Sequence, residues 1–74
     1  AQQGEAGAQY NLGTMYATGE GVLQNYVQAH KWFNLAAARG DSDARHNRDV
    51  AEQRMTQDQV AEAQKLAREW EPGR

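Results

Sequence analysis

The chain has no cysteine among its 74 residues, which excludes both a disulfide framework and a thiolate metal site. It also lacks a basic excess, with 8 Lys and Arg against 10 Asp and Glu and a formal net charge of -2. That balance leaves no electrostatic footprint for nucleic acid or for an anionic membrane surface. No apolar run approaches the roughly 20 residues that a membrane span needs. The two histidines, His30 and His46, lack the His-x-x-x-His or His-x-x-Glu spacing of a metal site. The carboxylates are scattered, and Glu5, Asp41, Asp43 and Asp58 fall in first helical turns, where they complement the helix dipole. Nothing selects a general acid–base pair, so neither a cofactor nor catalysis is expected. No signal peptide is visible and the chain does not open on Met, so Ala1 reads as a processed or trimmed boundary. A chain of this length is one small domain or a piece of a larger one, and its core supplies only about 3–5 kcal/mol of net stability.

What the chain does have is helical periodicity broken by glycine. Residues 1–4 end at Gly4 in the way that Ala37-Ala38-Arg39 ends at Gly40, so they read as the last turn of a preceding helix. A helix is expected over residues 6–17, with Ala8, Leu12, Met15 and Tyr16 on one face. Gly13 sits beside that face. A glycine there costs up to about 1 kcal/mol against alanine, so it points to close approach by another helix. Thr18-Gly19-Glu20-Gly21 breaks the helix; with no strand before it, Gly-Glu-Gly is a turn rather than a phosphate loop. Asn25 is the candidate N-cap of a second helix over residues 26–39, which faces inward with Tyr26, Ala29, Phe33, Ala36 and Ala37 and carries Trp32 at the border.

The pattern then restarts. Asp41 is the candidate N-cap of a third helix, and Gly4, Ala8 and Asn11 recur as Gly40, Ala44 and Asn47, a period of 36 by subtraction. Such a period marks a stacked helical array. The match fails where Leu12 becomes Arg48, Gly13 becomes Asp49 and Tyr16 becomes Glu52. Residues 45–54, with charges of both signs, read as a solvated helix face. Thr56 and Gln59 spell a capping box. The last helix is expected over residues 57–70, with Val60, Ala63, Ala67 and Trp70 as its buried stripe, Leu66 alongside, and Pro72-Gly73 as its stop. A terminal helix with a polar back closes the hydrophobic end of a solenoid.

Ala-x-x-x-Leu-Gly-x-Met-Tyr-x-x-Gly-x-Gly-Val from Ala8 to Val22, followed by Ala-x-x-Trp-Phe-x-x-Ala-Ala-x-x-Gly from Ala29 to Gly40, resembles a Sel-one-like repeat. This family is related to the tetratricopeptide repeats and is built of stacked antiparallel helix pairs. Residues 47–70 are similar to the closing segment of many bacterial proteins of this class. The resemblance implies an all-α fold, a fragment of a right-handed superhelical solenoid of antiparallel helix pairs, with about four helices and a C-terminal cap. Residues 1–5 are then the tail of a preceding repeat and 6–40 one complete repeat. Residues 41–55 are a degenerate first helix of a second repeat, and 56–74 the capping helix and tail.

The resemblance further implies a non-catalytic scaffold or adaptor that binds a protein or peptide on the concave face, lined by the first helix of each pair. That places Tyr10, Asn11 and Thr14, with Arg45, His46, Asn47 and Arg48 one unit later, as candidate partner-binding residues. Asn11 and Asn47 are equivalent positions. Their carboxamides either form a ladder for an extended backbone or a terminal carboxylate, or serve helix-to-helix contacts. The other functional class is a structural cap, or a unit that self-associates as a homodimer through its open N-terminal edge. The bacterial periplasm and the cytoplasm both suit the resemblance, and the residues do not choose between them.

Overall fold

The computed structural model describes residues 2–70, with side chains described from Ala6 onward. The fold is all-α: α1 (Gln2–Thr18), α2 (Tyr26–Ala38), α3 (Ser42–Glu52) and α4 (Gln57–Glu69), with no strand among the described residues. The stop expected at Pro72-Gly73 lies outside the described residues.

Local signals set most of the helix ends. Asn25 has extended backbone and its side chain accepts from the Gln28 N–H; Asp41 does the same for Ala44. At Thr56 both halves of the capping box are made, Gln59 N–H to Thr56 Oγ1 at 3.1 Å and Thr56 N–H to Gln59 Oε1 at 2.9 Å. Each such cap supplies a partner for a backbone donor that the helix leaves orphaned. Helix α2 ends in a Schellman arrangement. Gly40 takes φ of 100°, its N–H reaches Ala37 O, and Asp41 N–H reaches Ala36 O.

The first helix differs from expectation in length and in rotation. It runs unbroken from Gln2 through Gly4. The reason lies in the next residues. Gly40 is followed by Asp41-Ser42, where Asp41 can cap a new helix, whereas Gly4 is followed by Glu5-Ala6, which continues the old one. The inward face is Ala6, Gln9 and Gly13, with Tyr10, Tyr16 and Ala17 half-buried beside it. Ala8 is exposed, and Leu12 and Met15 are only half-buried. Ala44, one period after Ala8, is fully buried because α2 lies against it. No helix of the described residues occupies that position against Ala8.

Three carbonyls at the end of α1 are met by the turn that follows. Met15 O accepts from Gly19 N–H at 2.7 Å, Tyr16 O from Asn25 N–H at 2.9 Å, and Ala17 O from the Gln24 side-chain amide at 2.8 Å. Gly19 and Gly21 both hold positive φ, 80° and 77°, where only glycine is unstrained. The turn therefore brings α2 back along α1 while satisfying backbone groups that burial would otherwise leave unpaired.

Helix α2 is the centre of the structure, packing against α1, α3 and α4. Ala29, Phe33 and Ala36 form the core with Ala44 of α3. Phe33 lies over Gly13: a Cβ built at Gly13 falls 2.6 Å from the ring's Cδ1 and 2.7 Å from Cε1. Helix α4 docks on α2, burying Ala63 and Ala67, while the Trp32 and Trp70 rings meet edge-on with centroids 5.7 Å apart. Such a pair contributes about 0.5–1.5 kcal/mol beyond area burial.

Two of the three departures from the repeat face α2. Arg48 donates to Asn34 Oδ1 at 3.0 Å, and Glu52 Oε1 lies 2.7 Å from Nε2 of the fully buried His30. The expectation of a wholly solvated face over residues 45–54 is thereby corrected, since Ala51 is buried and Asn47 and Arg48 are half-buried. His30 meets Glu52 through Nε2 alone. Its Nδ1 is buried with no partner among the described residues.

The Gly13 contact gives a prediction whose sign is diagnostic. Helix propensity alone favours Gly13→Ala by about 1 kcal/mol. The clash with a buried ring reverses this, and a net loss of about 1–3 kcal/mol is expected in urea denaturation. A gain in stability would mean that Phe33 does not sit as described.

Candidate functional site

A groove of about 250 Å³ opens between α1 and α3, with α2 at its floor. Phe33 and Ala51 form the buried base, with Ala17 half-buried beside them. Tyr10 and Thr14 come from α1 and Tyr26 from the start of α2, while Asn47 and Val50 come from α3. Thr18 and Arg54, at the ends of the two walls, complete it.

Helical spacing puts these residues on one face. Tyr10, Thr14, Ala17 and Thr18 follow i, i+4, i+7, i+8 along α1; Asn47, Val50, Ala51 and Arg54 follow i, i+3, i+4, i+7 along α3 and just beyond it. Tyr10 and Phe33 are tilted against each other with centroids 5.8 Å apart. The walls are tied by Asn47 Nδ2, which donates to Tyr10 Oη at 2.9 Å. The hydroxyls on α1 are turned to the helix itself: Thr14 Oγ1 donates to Tyr10 O at 3.1 Å and Thr18 Oγ1 to Thr14 O at 2.9 Å.

Of the seven residues singled out from the sequence, the structure places Tyr10, Thr14 and Asn47 in the groove. Asn11, Arg45 and His46 are exposed outside its lining. Arg48 turns the other way, to Asn34 on α2 and to Asp49 beside it. Asn47 makes a helix-to-helix bond, and Asn11 makes none among the described residues. Sequence reasoning passed over Tyr26, Val50 and Arg54. The signal for the last two was present, because both share the helical face of Asn47.

Ionisable chemistry is sparse. Among the described residues no three His, Cys, Asp or Glu side chains come together in a way that could hold a metal ion. The pair of buried His30 and half-buried Glu52 lies outside the groove. No helix of the described residues is long and apolar enough to cross a membrane.

Four α-helices with no strand among the described residues, the first two seated on each other at Gly13, give a solenoid-like helical-repeat fold. The sequence pattern of the Sel1 repeat matches residues 6–41, and the chain carries a Sel1 repeat over that span. Searches of curated proteins and of solved structures give no significant match. Sel1 repeats generally mediate contacts between proteins, and the family is typically non-catalytic.

The two asparagines separate by stability. Asn47→Ala removes the bond to Tyr10 and is expected to cost about 1 kcal/mol, whereas Asn11→Ala should leave the thermal midpoint unchanged. Equal losses at both positions would indicate that Asn11 also bridges helices.

Proposed function

We propose that this chain is a non-catalytic protein-interaction module that docks a segment of a partner protein in the groove between α1 and α3. One observation carries the reading: a concave, mostly apolar strip lies between the first helices of successive units, with Val50 on its rim 41% exposed. Pockets that anchor partners have this make-up, with an apolar base and a few polar groups to fix orientation. The family's general role in protein contacts agrees with it.

Peptides selected from a random display library against the whole chain provide the test. Val50→Glu changes an exposed position, so the fold should survive by circular dichroism. Peptides selected on the parent chain should bind this variant at least about tenfold more weakly, a loss of about 1.4 kcal/mol. Selected peptides that ignore Val50→Glu would place the binding surface elsewhere.

A second reading, self-association through the outer side of α1, draws on exposed Ala8 beside half-buried Leu12 and Met15. Paired edges of this kind would form a closed, two-fold dimer. Sedimentation across a concentration range decides it: a dimer should appear at high micromolar concentration, and a strict monomer there sinks the reading.

A further inference from the structure

The groove is electrically one-sided. Of all the residues that line it, Arg54 alone is charged, and no carboxylate lines it. The Arg54 side chain has no hydrogen bond or ion pair among the described residues, although the chain as a whole is net acidic. Uncharged donors stand elsewhere along its walls. Tyr10 Oη accepts from Asn47, which leaves its own O–H to donate, and Asn47 Nδ2 has a second hydrogen to offer. At the α1 end the threonine hydrogens are already committed to backbone carbonyls. Arg54 is therefore the groove's single charged donor, at one end of an apolar base, with the free Tyr10 and Asn47 donors about two helical turns away.

We infer that the groove selects a protein segment in which a large apolar side chain lies close to an Asp or Glu side chain. The apolar group settles over Phe33 and Val50, and the carboxylate meets Arg54. A guanidinium pairs with a carboxylate through two parallel N–H donors, which gives both attraction and orientation. The inference rests on the groove being the docking surface, and its test separates the two.

The probes are peptides of the form acetyl-Phe-(Ala)n-Asp-amide, with n from 0 to 3, and the matching Asn series, titrated into the isotope-labelled whole chain by NMR. The Asp series should shift the amides of Asn47, Val50, Ala51 and Arg54 and bind at least about threefold more tightly than the Asn series at low salt. That difference should vanish in Arg54→Gln, survive in part in Arg54→Lys, and shrink at high salt as charges are screened. If both series shift the groove equally and Arg54→Gln changes nothing, acid selection is overturned and the groove remains. If neither series shifts groove resonances, or the shifts fall on other faces, the groove itself is overturned as the docking surface.

Discussion

The approach of Phe33 to Gly13 is the contact on which the rest of the structure depends. A ring that close to a helix backbone leaves no room for a side chain, so the spacing between α1 and α2 is set by the absence of one carbon. Interiors packed to crystal density compress little, so a misfit at this contact is passed on to its neighbours. The same ring is the base of the groove and the neighbour of Tyr10. The residue that seats the hairpin therefore also sets the depth of the candidate binding surface.

Around that contact, α2 is buried on three sides, and the polar residues of α3 make sense against it. Arg48 and Glu52 stand 36 residues after Leu12 and Tyr16, and each finds a partner on α2, Asn34 and His30. A polar substitution on a packing face is costly when its partner is missing and nearly neutral when the partner is built in. Helix α3 is thus a polar version of α1, matched to the helix it follows.

The local parts of the fold were legible in the sequence because each rests on a few neighbouring residues. The caps at Asn25, Asp41 and Thr56, the glycine turn, the seat at Gly13 and the buried Ala63 and Ala67 of α4 all follow from short spacings. Val60 and Trp70 of the expected stripe are only half-buried. What escaped depends on which helix lies opposite which. Counting apolar residues put Ala8 inward, yet the buried positions of α1 include Gln9, only 5% exposed, because α2 approaches from that side. The period of 36 placed Asn47 beside the candidate surface but said nothing of the rotation that turns Arg48 away and brings Arg54 in. The His30–Glu52 pair joins residues on different helices through no motif. Spacing along a chain reports the faces of a helix; its neighbours decide which face is used.

Helix α4 docks on α2 and not on the helix that precedes it in sequence, and this has a kinetic consequence. The α1–α2 hairpin is made of contacts between nearby residues, whereas the Trp32–Trp70 contact requires the whole of α3 and its flanking turns to be looped out. Loop closure must be met before that contact returns any energy. The closing helix thus raises the contact order of an otherwise local fold, and its docking belongs late on the folding route, after the hairpin has supplied the surface that receives it.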